Sequence, residues 1–383
     1  MVTKRARLWL SRGLAITLLV VAGGLFAATW YYSGEIEGVL FAARADGPSA
    51  DIVLLDADDD RVSIPSDLRT IRPGRWGLRF PDGYAEVGDI VAEAGGVVTR
   101  SLIATEGSFA SGERAVWDRM AFASPEARGI EYRETLLDGP LGPLPAWLTE
   151  GDSDTWVIFV HGAGADRREA LRALPTVIGL GHPTITVAYR NDADAPESTS
   201  GRHGFGRNEW NDVETALEYA VAADASKVVL VGFGTGGSIV SVFMSHSRLA
   251  DRVAALVLDA PVLDAEVLVD RIAREDKVPG FIVGWSRAMA SFRFGVEWSA
   301  LDHIESAAEI SIPVLLFHGG ADEYAPVASS REYADLVGDL ATLIVIDGAG
   351  HGEAWNFDPT GYEAALADFL QSVMAEPNGD EEA

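Results

Sequence analysis

The chain has 383 residues, 48% of them hydrophobic, with a formal net charge of −28 at neutral pH. It carries no basic cluster suited to neutralising phosphates, so nucleic acid is excluded as a partner. Cysteine is absent, which removes thiolate nucleophiles, cysteine metal sites and a disulfide framework.

In chain order, Lys4, Arg5, Arg7 and Arg12 come first and an apolar run from Gly13 to Tyr32 follows. At ~1.5 Å per residue this run matches the ~30 Å hydrocarbon core of a bilayer. Trp30, Tyr31 and Tyr32 close it as an aromatic girdle. The pattern predicts a single-pass anchor in the cell membrane over 13–32, with residues 1–12 cytoplasmic and everything after Ser33 outside. A cleaved signal peptide is the competing reading, with Ala22, Gly23 and Gly24 as its small residues. Either way the bulk of the protein is exported.

Residues 33–147 read as a small β-rich module with a connecting segment. Asp51 to Leu55, Arg75 to Phe80 and Val97 to Ile103 are candidate strands, and Pro73-Gly74, Pro81-Asp82-Gly83 and Gly95-Gly96 supply turns. The acidic run Asp56 to Asp60 lacks the spaced oxygen ligands of a calcium loop and reads as a solvated turn. Gly139 to Trp147, GPLGPLPAW, reads as a proline-punctuated lead into the next domain.

From about residue 148 to 375 strands and helices alternate, the grammar of a mostly parallel sheet with helices on both faces. Candidate strands are Trp156 to Val160, Thr184 to Ala188, Val228 to Val231, Val253 to Leu258, Val314 to Phe317 and Thr342 to Ile346. Candidate helices begin at Arg168 and cover Glu209 to Ala222, Ser330 to Val337 and Gly361 to Met374. A helical insertion, about 263–308, is expected to cap the site, and its Trp285, Met289, Phe292, Phe294 and Trp298 suffice to wall an apolar pocket. Arg271, Arg274, Arg287 and Arg293 read as solvated charges. Residues 376–383, EPNGDEEA, read as an acidic tail.

In such a sheet the ligand lies against loops at the strand carboxyl ends. His161-Gly162-Ala163-Gly164, His318-Gly319-Gly320-Ala321-Asp322 and Asp347-Gly348-Ala349-Gly350-His351 all occupy such loops. KVVLVGFGTGGSIV, Lys227 to Val240, runs a buried strand through a glycine-dense turn into a helix. In a nucleophile elbow a serine stands between small residues on such a turn. Gly232 and Gly236 fill the small positions, and the residue between them is Gly234. The order elbow, Asp322, His351 is that of an α/β-hydrolase triad, in which the carboxylate fixes the imidazole and the imidazole acts as base.

The chain resembles the α/β-hydrolase superfamily, and within it membrane-anchored actinobacterial members of the serine esterase and prolyl-oligopeptidase-like lineages. The resemblance rests on WVIFVHG, YRND, EWNDV, VLDAPVLD, LLFHGGAD and WNFDP over about Leu141 to Leu370, and more weakly on PGRWGLRF and AEVGDI in the module. It implies an α/β-hydrolase fold, with Asp322 as triad acid, His351 as triad base, and the backbone N–H groups of Ala163 and Thr235 as the oxyanion hole. The family's serine falls on Gly234.

Thr235 sits one residue late to replace that serine, and Ser238 lies a helical turn further on. A water activated by His351 is chemically more reasonable. His161 and His318 read as structural residues closing their loops, and His246 and His303 as packing or surface residues. Asp259 is a weaker alternative acid. Glu209, Trp210 and Asp212 fit the charge and packing of a helix start, with Asn208 as its N-cap.

Three functions follow: a hydrolase-fold protein without its nucleophile that binds or regulates, a working hydrolase of esters or peptides, and a scaffold for a protein partner. The ligand class for the first two is a small-molecule ester or peptide. No spacing implies a metal or organic cofactor.

Overall fold

The computed structural model describes residues 4–41 and 49–374; Met1 to Thr3 and the acidic tail lie outside the described residues. The helix α1 (Lys4–Phe41) and residues 265–302 form one compact unit, and the other described residues form a second.

Within the second unit the first layer is an antiparallel module of β1 (Ile52–Val53), β2 (Asp56–Ala57), β3 (Arg61–Pro65), β4 (Trp76–Phe80), β5 (Gly83–Ala94), β6 (Val97–Glu106) and β7 (Arg114–Asp118), in spatial order β1-β7-β4-β5-β6-β3-β2. Its core is the alternate inward residues of these strands, among them Ile52, Val62, Ile64, Leu78, Val87 and Val98, with Trp76 stacked on Trp117 at 5.3 Å. The sequence reading misses β2, β3, β5 and β7; the acidic run expected to be a solvated turn begins in β2, where Asp56 and Ala57 pair with β3 while staying exposed. β5 is irregular, with register shifts at Val87 and Ile90, which blurs the alternation that would reveal it.

The second layer is an eight-stranded sheet. Its strands are β8 (Arg133–Gly139), β9 (Gly142–Thr149), β10 (Thr155–Val160), β11 (Thr184–Val187), β12 (Lys227–Phe233), β13 (Val253–Asp259), β14 (Val314–Gly319) and β15 (Ala341–Ile346). The order is β15-β14-β13-β12-β10-β11-β9-β8. β10 to β15 pair in parallel, and β9 joins β11 antiparallel. The segment Gly139 to Trp147 is therefore not a connector but the turn and second strand of a hairpin. Its prolines are tolerated because Pro145 turns its carbonyl toward Ala188 N–H, away from β8, so the β8 ladder never asks for the missing N–H.

Helices α2 (Leu174–Gly179), α3 (Trp210–Ala222), α4 (Thr235–His246), α7 (Val327–Val337), α8 (Ala354–Phe357) and α9 (Pro359–Met374) belong to the same unit as the sheet, while the insertion carries α5 (Ala265–Glu275) and α6 (Gly280–Phe294) of the first unit. One face of the sheet is buried with Val213, Leu217, Val240 and Phe243, the other with Leu171, Val177, Leu366 and Leu370. The start of α3 corrects the expectation of an Asn208 cap. Glu209 precedes the helix without capping it, and its carboxylate turns back to accept from Gly204 N–H (2.6 Å) and Gly206 N–H (3.0 Å). Asp212 is fully buried in a two-pronged pair with Arg190, at 2.7 and 2.8 Å.

The module is fastened to α8, which follows the loop after β15. A side chain on Gly74 would place its Cβ 1.8 Å from the carbonyl oxygen of Asn356, so backbone meets backbone there. Arg75 N–H donates to that same carbonyl at 2.9 Å, and the buried Asn356 Nδ2 donates to the carbonyls of Arg75 (2.7 Å) and Arg119 (2.9 Å). Arg100, wholly buried, sends five hydrogen bonds to the carbonyls of Thr70, Arg72, Gly74 and Gly88, and burial lowers its pKa to about 10. It thereby shapes the turn that carries Gly74.

In the first unit, α1 continues past Tyr32 to Phe41, further than the apolar run predicts. Thr29, Ser33, Ile36 and Leu40 form one buried stripe along it, because residues distant in sequence cover that face. Arg293 of α6 donates to Trp30 carbonyl and Ser33 Oγ, both at 2.6 Å, and stacks on the Trp30 ring. Leu14, Leu18, Leu19 and Val20 remain exposed. By length and composition Arg12–Phe41 can cross a membrane. The aromatics expected to wall a pocket do not do so jointly, since Trp285 and Phe292 are 72% and 85% exposed. Arg287 is paired with Glu266 at 2.8 Å and Arg271 with Glu275 at 3.1 Å.

Asn356→Ala is expected to lower the unfolding free energy by about 1–3 kcal/mol, since two partly buried carbonyls lose their donor. Urea titration measures it, and Asn356→Asp should cost more than Asn356→Ala at neutral pH, since a buried carboxylate would face two carbonyl oxygens.

Candidate active site

β12 is buried from Val228 onward and delivers the chain into a turn at Gly234, with φ +52° and ψ −118°. The turn is held by Gly234 N–H donating to Asp259 carbonyl (2.9 Å) and by Val262 N–H donating to Gly234 carbonyl (3.0 Å). The flanking glycines are steric requirements. A Cβ on Gly232 would lie 2.7 Å from Gly236 carbonyl, and one on Gly236 would lie 2.2 Å from Val160 carbonyl. Gly234 differs, because a Cβ there would find His351 Nε2 as its nearest neighbour, at an ordinary 3.4 Å. Space for a side chain exists at the tip of the turn, and it faces the imidazole.

Asp322 and His351 come together from loops after β14 and β15, with Oδ2 and Nδ1 2.8 Å apart. Asp322 Oδ1 accepts from the backbone N–H groups of Tyr324 and Ala325, each at 2.8 Å, while Oδ2 also meets His318 Nε2 at 3.2 Å. Burial alone would raise the carboxyl pKa, but the hydrogen bonds and charge of His318 and His351 outweigh it and hold it well below the usual range. An ionised Asp322 can only accept, so Nδ1 of His351 carries the proton, leaving Nε2 toward Gly234. His351 is partly open to solvent, at 23% side-chain exposure. His318 is buried, with Nε2 between Asp322 and Ala325 carbonyl and Nδ1 on Ser330 Oγ, and it supports the acid loop.

Ala163 and Thr235 also meet, in a way the sequence did not suggest. Ala163 N–H donates to Thr235 Oγ1 at 2.5 Å. The first of the two backbone donors is thus satisfied by the side chain of the second residue. Beside it, Gly162 N–H donates to Glu169 at 2.9 Å. Glu169 is buried; burial would raise its pKa, but Arg119, Arg172 and this N–H lower it. Arg172, itself fully buried, spans from Glu169 to Gly352 carbonyl, which joins the loop of Gly162 to the loop of His351.

His161 lies below this loop, with Nδ1 at 3.0 Å from Gly162 carbonyl and Nε2 at 2.9 Å from Asp192. Both partners accept, so both nitrogens carry protons. Burial opposes the charged ring, yet Asp192 and Gly162 lift its pKa to about 9. Ser238 is buried and donates to Val262 carbonyl, which commits its hydroxyl. Asp259 is buried against Tyr362 OH (3.2 Å), and burial raises its pKa. His246 is held by Val242 carbonyl, and His303 stacks near Phe205. The ion pairs Glu169–Arg119, Arg190–Asp212 and His161–Asp192 are absent from the sequence reading. Arg190, Asp192 and Asp212 lie in the phrases YRND and EWNDV, whose spacing does not show which charges pair.

Among known proteins, a family model described as a domain of unknown function (DUF8805) matches residues 53–118, within the β-rich module. No curated protein matches the sequence. Two crystal forms of the Pyrococcus furiosus esterase Pf2001 resemble the structure. One has a TM-score of 0.54 at 16% identity, covering 65% of this chain and 94% of the esterase. The other has a TM-score of 0.51 at 17% identity, covering 66% and 94%. With the sheet order above, the likeness shows the fold: this is an α/β-hydrolase fold preceded by an antiparallel module and an apolar N-terminal helix.

The His161 pair gives a pH signature. A pKa raised in the folded state from its ordinary 6.5 contributes stability that is complete below about 6.5 and lost as pH rises through about 9. Urea midpoints taken from pH 6 to 10 should fall across that window, and Asp192→Asn should abolish the alkaline loss.

Proposed function

We propose that this protein is a membrane-anchored, extracytoplasmic member of the serine-hydrolase lineage, esterase- or peptidase-like, that binds or regulates instead of hydrolysing. The observation that carries the reading is Gly234: an elbow with room for a side chain aimed at His351, and no hydroxyl to fill it. Asp322 and His351 take the parts of acid and base, and the backbone N–H groups of Ala163 and Thr235 those of the oxyanion hole. Thr235 Oγ1 on the Ala163 N–H supports the same conclusion, because a donor already engaged is unavailable to a developing oxyanion. The ligand class remains a small ester or peptide. The apolar helix supports the anchor, with the folded units outside.

The orientation of His351 Nε2 favours one second reading, slow hydrolysis through a His351-activated water. Loss of a triad serine costs about 10⁶ in turnover and leaves ~10³–10⁴ over water, so that reading describes a poor enzyme.

The test is repair. The wild-type chain should not react with a fluorophosphonate. Gly234→Ser has the space it needs, at a backbone cost of about 1–3 kcal/mol, yet should hydrolyse short p-nitrophenyl esters only feebly with Thr235 on the oxyanion donor. Gly234→Ser with Thr235→Ala should be about 10²-fold faster, and His351→Ala should abolish the gain. No gain in the double variant means that Asp322 and His351 are not poised as acid and base.

A further inference from the structure

Arg119 follows directly after β7 of the β-rich module, and its guanidinium stands between the two loops of the hydrolase site. Nη2 lies 3.0 Å from Glu169 Oε1, and Glu169 in turn holds the N–H of Gly162, the residue before Ala163. Nη1 lies over Gly352, the residue after His351, so closely that a Cβ on that glycine would come within 2.1 Å of it. The backbone is fixed as well, since Asn356 Nδ2 donates to Arg119 carbonyl at 2.9 Å.

Its charge is only partly matched. Glu169 faces two guanidinium groups, Arg119 and the fully buried Arg172 at 3.4 Å, so one carboxylate serves two cations. Asp259, also buried nearby, bonds Tyr362 OH and forms no ion pair with either. Neighbouring arginines differ: Arg168 pairs with both Asp118 and Asp166, and Arg72 pairs with Glu353. The Arg119 side chain is 30% exposed, and among the described residues none of its guanidinium N–H groups donates a hydrogen bond. Arginine offers five such donors in a planar fork that fits a carboxylate. In a chain with 58 acidic and 30 basic residues, an open guanidinium with unused donors beside His351 is a local reversal of sign.

We propose that Arg119 receives a free carboxylate of the ligand, which narrows the ligand class to a small ester or peptide that is an anion, its carboxylate on the guanidinium fork and its carbonyl at the turn of Gly234. The inference rests on the reading of Gly234, Ala163 and His351 as a ligand site. It also gives the β-rich module a share in recognition, since the end of β7 sets Arg119 in place.

The experiment is saturation-transfer NMR on the full chain in detergent micelles, with the dipeptide N-acetyl-Ala-Ala as probe and its carboxamide as the uncharged control. The acid should bind about ten-fold more tightly than the amide, the order of one charge-assisted hydrogen bond. Arg119→Gln should remove that preference, and Arg119→Lys, which keeps the charge without the fork, should retain part of it. Should Arg119→Gln lose its near-ultraviolet circular dichroism because Glu169 has lost a partner, the acid and amide compared in the wild-type chain and in Arg119→Lys decide. Equal binding of acid and amide, no binding of either, or a preference unchanged in Arg119→Gln overturns the inference. Ala163→Trp, at an exposed position on the rim, reads the underlying site separately: it should weaken acid and amide alike. A preference lost in Arg119→Gln while Ala163→Trp binds both as the wild type does overturns the ligand site at Gly234, and leaves the carboxylate contact of Arg119 standing apart from it.

Discussion

The reversal of the chain at Gly234 is the constraint on which the site depends. A buried strand must stop, turn through a backbone conformation that side-chain-bearing residues seldom adopt, and start a helix within a single residue. That is possible because Gly232 and Gly236 let the helix start pass within contact of β10, where any Cβ would collide with a carbonyl oxygen. In hydrolases with this turn the strain serves to present a nucleophile. This protein keeps the strained turn and the imidazole facing it while carrying hydrogen at the tip. Glycine meets that conformational demand at the lowest cost, because it has no Cβ to clash at positive φ.

Around that turn the loops are tied by buried charge. Arg172 bridges Glu169 and Gly352, Glu169 holds Gly162 N–H, and Asp322 sits between two histidines. Removing one partner from such a network strands a charge in a low-dielectric interior, and this makes the arrangement costly to dismantle piecemeal. The β-rich module belongs to the same system. Through Arg75 and Gly74 it grips Asn356, five residues beyond His351, and Arg72 pairs with Glu353, whose carboxylate accepts from Gly350 N–H. The module is thus built into the support of the histidine loop.

A proposed loss of hydrolysis fits this picture of retained architecture. The pair of Asp322 and His351 has well-formed geometry because the carboxylate also satisfies two backbone N–H groups and a buried histidine, and these give it a structural reason to persist without catalysis. Thr235 adds a contact that a working oxyanion hole has to keep open. Binding without turnover asks only for shape and a few polar groups, and both survive in such a frame.

Much of the fold was legible in the sequence because it rests on local signals. Buried strands appear as β-branched runs, the elbow as glycines at fixed spacing, and the loops bearing Asp322 and His351 as glycine-rich stretches after those runs. The hairpin of β8 and β9 was hidden by prolines whose harmlessness depends on which neighbour their carbonyls face, and β5 of the module by its register shifts. The length of α1 was hidden too, since Ser33 to Phe41 becomes helical against α6, far along the chain. Thus the chain by itself determined the class of sheet, the apolar N-terminal helix and the glycine where a serine is expected, all of them properties of neighbouring residues. Only the tertiary structure decided that Thr235 covers Ala163, that Asn356 binds the module and that Asp212 and Glu169 are buried in ion pairs, because hydrogen-bond and charge partners are chosen by distance in space, which residue spacing does not encode.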